Sequence, residues 1–165
     1  MRNAGVVYAV KWAILLCELF RRSHFATADD VDVLLEWRQS IQDPHQRLIF
    51  WDQYQANPCI LAGVICLPDT TYIEMMNLAW NSIQGSIPPE LGNLKLLYAL
   101  HLHKNQLTGP VPQELGGLDL LETFYVYGNE LNGTIPTNGI MSKFQTLDVW
   151  HDNPGLCGKA INKPC

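Results

Sequence analysis

The stretch Leu97-Tyr98-Ala99-Leu100-His101-Leu102-His103-Lys104-Asn105-Gln106-Leu107-Thr108-Gly109-Pro110-Val111-Pro112 decides the fold, because it recurs. Asn81, Asn105 and Asn129 are each 24 residues apart, and Gly85/Gly109/Gly133 and Pro88/Pro112/Pro136 keep the same interval. Counting back from each asparagine, Leu78, Leu102 and Val126 stand three before. Met76, Leu100 and Phe124 stand five before, and Ile73, Leu97 and Leu121 eight before. Apolar residues two apart read as one face of a short strand, so Leu100 and Leu102 point inward and His101 outward. The asparagine amide sits where the strand turns and satisfies backbone groups left unpaired there, so stacked copies form a ladder at Asn81, Asn105 and Asn129.

A pattern of apolar positions closed by an asparagine, at a fixed interval of this size, is the signature of a leucine-rich repeat. The expected fold is therefore an α/β solenoid, a short right-handed superhelix of three clear 24-residue repeats with a helical N-terminal cap and a C-terminal cap. A fourth, degraded repeat is expected with Phe144, Leu147 and Val149 inward and Asp152 at the asparagine position, which requires a one-residue deletion. Prolines 110 and 112 hold an extended return segment. One coil cannot bury its apolar face alone, so both ends need closing.

Working outward, Val33, Leu34, Trp37 and Ile41 fall on one helical face, and Asp43-Pro44 ends that helix. Residues 29–66 form the cap, 67–152 the repeats and 153–165 the C-terminal cap. Trp51 is expected against the first repeat. Residues 1–28 read as a secretory signal: basic Arg2 and Lys11, the apolar run Trp12–Cys17, and the small-x-small site Ala26-Thr27-Ala28. Cleavage there leaves seven basic and fifteen acidic side chains, a net charge of −8. That charge excludes a basic nucleic-acid binder. No later apolar run reaches the roughly 20 residues of a membrane span.

Cys59/Cys66 and Cys157/Cys165 flank the repeats at C-x6-C and C-x7-C. Structural zinc sites use tighter pairs, so the spacing favours two local disulfides over a metal.

The solvent-facing positions of the strands lie six, four and two before each asparagine, with the preceding residue at the edge. They hold Met75, Asn77, Ala79 and Trp80, then Ala99, His101, His103 and Lys104, then Thr123, Tyr125, Tyr127 and Gly128. Under the degraded register the fourth set is Thr146, Asp148, Trp150 and His151. Tyrosine and tryptophan dominate the energetics of protein interfaces. The expected partner-binding concave face is Asn77, Trp80, His101, His103, Tyr125, Tyr127, Asp148 and Trp150. A metal between His101 and His103 would need one or two further convergent ligands from two strands away. Asn132-Gly133-Thr134 is an N-glycosylation sequon, placing a glycan at Asn132. The chain holds no G-x-S-x-G, H-E-x-x-H or phosphate loop, so neither an enzyme nor a cofactor is expected.

Three segments carry a resemblance. Asp32-Val33-Leu34-Leu35-Glu36-Trp37, Asp43-Pro44 and Asn57-Pro58-Cys59 through Gly63-Val64-Ile65-Cys66 form the first. Leu107-Thr108-Gly109-Pro110-Val111-Pro112-Gln113-Glu114-Leu115-Gly116 is the second, and Asn153-Pro154-Gly155-Leu156-Cys157-Gly158 through Cys165 the third. Together they resemble plant extracellular leucine-rich-repeat proteins, similar to the ectodomains of somatic embryogenesis receptor kinases and to their short secreted kinase-less relatives. Two departures stand out. Leu61 holds a position where the plant cap commonly has tryptophan, and the clear repeats are fewer than in those ectodomains. The resemblance implies an extracellular, non-catalytic module, receptor-like or co-receptor-like, in cell-surface signalling or defence. Its partner would be a protein or peptide such as a receptor ectodomain, and its location the cell wall, or the cell-surface membrane in a longer form. The alternatives are a secreted inhibitor of an extracellular hydrolase, or a truncated receptor fragment without function.

Overall fold

The computed structural model describes residues 30–48, 51 and 57–165. The signal-peptide expectation for residues 1–28 lies outside them.

Helix α1 (Asp30–Ser40) opens the cap. Its Val33, Leu34 and Trp37 are buried, as is Ile41 one residue beyond its end. The Trp37 indole donates to the Ser86 carbonyl at 3.0 Å, tying the cap to the first repeat. Asp30 does the same at the other end of the helix, its carboxylate accepting the Ile73 amide at 2.7 Å. Trp51 is fully buried in the common core, as expected. Strand β1 (Val64–Cys66) then pairs antiparallel with β2 (Ile73–Asn77). The Cys59–Cys66 disulfide closes the loop before it.

Two parallel ladders follow. β2, β4 (Ala99–His101) and β6 (Thr123–Tyr125) form the first sheet, in the order β1-β2-β4-β6. Their register is one repeat per strand: Met76 opposes Leu100, which opposes Phe124. The return segments form a second sheet of β3 (Gln84–Ser86), β5 (Gln106–Pro110), β7 (Glu130–Thr134) and β8 (Gly155–Cys157). Short 3-10 helices at Pro89–Asn93, Gln113–Gly117 and Gly139–Lys143 connect the two. The α content is thus small. Proline before or at the start of the first two of these turns leaves room for one tight turn and no long helix.

Leucines and isoleucines between the sheets form one continuous core from Val33 to Leu156. Leu100 and Leu102 are fully buried. So is Ala99, placed outward by the sequence reading; its small side chain is covered from both neighbouring strands.

The asparagine ladder is complete from the second repeat on. Asn129 donates to the carbonyls of Leu102 (3.0 Å) and Val126 (2.8 Å) and accepts the Leu107 amide at 3.0 Å. Asn105 makes the equivalent set with Leu78, Leu102 and Ile83. Asn81 opens the ladder with donor bonds alone, to Leu78 and Ala79.

The fourth repeat corrects the sequence reading. Asn153, not Asp152, stands on the ladder: it accepts the Leu131 amide at 3.1 Å and donates to Val126 and Trp150. Asn153 lies 24 residues after Asn129, so there is no deletion. In that register the inward position five before the asparagine is Asp148. A strand there would bury a carboxylate beside Phe124, at a cost of several kcal/mol. The chain instead turns through helix α2 (Leu147–Trp150), which exposes Asp148 and buries Val149 and Trp150. Leu147, expected inward, is 56% exposed. The Cys157–Cys165 disulfide closes the end.

Candidate binding surface

The first sheet carries its outward side chains in columns, because equivalent residues of parallel, in-register strands lie about 4.8 Å apart. The column two before each asparagine is Ala79, His103, Tyr127 and His151. The His103 and Tyr127 rings stack with centroids 4.6 Å apart and planes 22° from parallel. Tyr127 and His151 stack at 4.5 Å and 16°. Beside this column runs a second, four before the asparagine. There His101 lies 5.1 Å from Tyr125, and its Nε2 is 3.0 Å from the Thr123 hydroxyl. Tyr125 meets both His103 and Tyr127 edge-on.

A third set stands immediately before the ladder asparagine: Trp80, Lys104, Gly128 and Asp152. All four have positive φ, between 55° and 67°. This is the left-handed turn by which each coil leaves its strand. A tryptophan is an unfavourable occupant of that region, and Trp80 is also 73% exposed. Its indole meets the His103 ring edge-on at 6.5 Å. At position 128 the absent side chain matters. A Cβ there would lie 2.8 Å from Cδ of Lys104, so glycine lets that lysine pass across the third coil. Lys104 Nζ lies 5.5 Å above the Tyr127 ring and ends 3.5 Å from the Asp152 carboxylate.

The electrostatics follow from this crowding. Burial among the rings lowers the His101 pKa below its ordinary value. His103 is lowered by burial first, then by the neighbouring His101 and Lys104 charges. Its Nδ1 is covered and has no hydrogen-bond partner, so a second ring proton would have nothing to bind. Asp152 is held below the usual carboxylate range, chiefly by its hydrogen bond with His151, whose Nδ1 is 3.0 Å away.

The structure brings together six of the eight expected face residues: Asn77, which pairs with His101 in the column four before the asparagine, and Trp80, His101, His103, Tyr125 and Tyr127. Asn77 is exposed at the end of β2, where its side chain accepts the Ala79 amide. Asp148 is exposed on α2, off the columns. Trp150 is a correction. It is fully buried, its indole donating to the Phe144 carbonyl, because it occupies the inward position three before Asn153. His151, Lys104 and Asp152 complete the surface in place of Trp150. Lys104 and His151 already stood among the solvent-facing positions of the sequence; the 24-residue interval carried to Asn153 would have moved His151 to the offset of His103 and Tyr127 and put Asp152 at that of Lys104. Among the described residues no group of three or more metal-binding side chains converges.

The chain also has recognisable relatives. A leucine rich repeat N-terminal domain matches residues 27–67, and the Leucine Rich Repeat family matches 72–94 and 96–118. The LRR receptor kinase SERK2 of Oryza sativa subsp. japonica is 31% identical over 90 residues, covering 54% of this chain and 15% of that protein. Leucine-rich repeat protein 1 of Arabidopsis thaliana is 37% identical over 73 residues, covering 44% of this chain and 33% of that one. Three Arabidopsis receptor-like kinases are matched over only 8% to 16% of their own length. Among solved structures, that of PEPR1–AtPEP1 superimposes with a TM-score of 0.59 at 26% identity, over 73% of this chain and 17% of that one. No helix among the described residues is long and apolar enough to cross a membrane. Cap and repeats together make this chain a leucine-rich-repeat protein, similar to the ectodomains of plant somatic embryogenesis receptor kinases and to their kinase-less relatives.

Proposed function

We propose that the chain is a non-catalytic protein- or peptide-binding module, receptor-like or co-receptor-like, acting outside the plant cell in surface signalling or defence. The observation that carries this reading is the ring column His103–Tyr127–His151, flanked by His101, Tyr125 and the outlying Trp80. Ring faces are consumed by stacking on one another, so the surface offers a partner polar ring edges along the column and one free aromatic body, Trp80. Rigid aromatic side chains of this kind contribute contact area at a small entropy cost. The likeness to receptor kinases and to PEPR1 in PEPR1–AtPEP1 supports the same reading.

Oxidised, secreted chain and its Tyr125→Ala/Tyr127→Ala variant, used as baits in plant extracellular fluid, test it. The native bait is expected to recover partners that the double variant loses and an Asp148→Ala control retains. Identical recovery by all three baits would overturn the assignment.

A further inference from the structure

The sequon Asn132-Gly133-Thr134 forms the part of β7 that pairs with β8, residue for residue: Asn132 with Gly155, Gly133 with Leu156, Thr134 with Cys157. On its other side Asn132 pairs with Pro110 of β5. Its neighbours are fixed as well, since the Leu131 amide donates to Asn153 and the Ile135 amide to the Cys157 carbonyl. The Thr134 hydroxyl, which the sequon requires, lies 3.5 Å from Cys165 Sγ and 4.0 Å from Cys157 Sγ. Asn132 itself is exposed and belongs to the second sheet, away from the ring columns. A glycan there would leave the proposed binding surface open.

Modification needs the asparagine and the hydroxyl two residues on to enter an enzyme together, on an unpaired stretch of chain. In the closed cap Asn132 and Thr134 stay exposed, but the stretch between them is paired. β8 holds the backbone, and the disulfide occupies the side of the threonine. Disulfide formation takes seconds to hours, so the sequon is open for a time before its lock closes. We propose that Asn132 is an N-glycosylation site whose occupancy is set by a race against closure of the Cys157–Cys165 disulfide. The transfer forms a bond from Asn132 Nδ2 to the anomeric carbon of a lipid-linked oligosaccharide diphosphate. The carbon–oxygen bond to the lipid diphosphate breaks and that diphosphate leaves, while the amide proton passes to solvent. The inference rests on the extracellular reading above, since the donor is met only in the secretory pathway.

The test expresses the full chain in a secretory plant host, with a second sequon appended after Cys165 as an entry control. Occupancy is read by mass before and after deglycosylation, in total and secreted protein. Asn132→Gln removes the shift due to this site. Cys157→Ser/Cys165→Ser is expected to lower the unmodified fraction at Asn132 by about two-fold or more, and Cys59→Ser/Cys66→Ser to leave it unchanged. Equal occupancy in the native and Cys157/Cys165 variants overturns the race, as does an equal rise in both disulfide variants, which reports general unfolding. A modified control with Asn132 bare in every variant overturns the site alone. An unmodified control takes down the extracellular reading and this one with it.

Discussion

The ring of Tyr127 lies flat between those of His103 and His151, 4.6 Å from one and 4.5 Å from the other. Three coils thus present one continuous stack rather than three separate side chains. Its spacing is that of the strands beneath it, so the surface is only as ordered as the register of the solenoid.

That crowding makes stability depend on pH. Folding lowers the pKa of His101 and His103 below 6.5, so below that value the unfolded chain binds more protons than the folded one. Stability contributed by these groups is complete above about pH 6.5 and declines as pH falls through the lowered values. The groups facing them are Lys104, Tyr125, Tyr127, Thr123 and Trp80. Melting temperature should fall between about pH 7.5 and about pH 5, and fall less in His101→Gln/His103→Gln. Equal decreases in the two proteins would refute the assignment.

The ladder gives a graded series. Asn129→Ala leaves the buried Leu107 amide without its partner, at about 1–3 kcal/mol, while the Leu102 and Val126 carbonyls keep their bonds from Asn105 and Asn153. Asn153→Ala should cost a similar amount, because its bonds are equivalent. Asn81→Ala should cost less, having only donor bonds at a half-buried site. Asp152→Ala should behave as a surface change. Urea denaturation of the four variants measures the order, and an Asp152 variant as damaging as Asn153→Ala would restore the deleted register.

Much of this was legible in the sequence, and the largest failure lies in the fourth repeat. Three asparagines at a constant interval disclosed the strands, the inward residues and the ladder. Both disulfide pairs are formed as their local spacing predicted. The fourth repeat misled because its apolar residues, Phe144, Leu147 and Val149, match the strand template if the asparagine is moved by one residue. The better guide was the ladder residue, whose hydrogen bonds tolerate no shift, with Asp148 as the reason the strand is replaced by a helical turn. The second sheet was read only as an extended return, because Gly109 and Pro110 carry little strand propensity and its pairing is set by the stacking itself.

Two tryptophans separate fold from function. Trp150→Ala removes a fully buried ring and should destabilise by about 3–5 kcal/mol. Trp80→Ala removes an exposed ring from a backbone conformation alanine also finds unfavourable, so stability should change by less than about 1 kcal/mol. Thermal unfolding of the two variants checks the contrast. A Trp80 variant as unstable as Trp150→Ala would mean that its indole is structural.

Equilibrium titration of a captured partner against single variants puts the central claim to its most direct test. Trp80→Ala and Tyr127→Ala should each weaken binding by about ten-fold or more, as anchor residues do, while the exposed Tyr98→Ala and Leu147→Ala, away from the columns, leave it unchanged. Full affinity in the first pair together with a loss in the second would place the binding surface elsewhere on the solenoid.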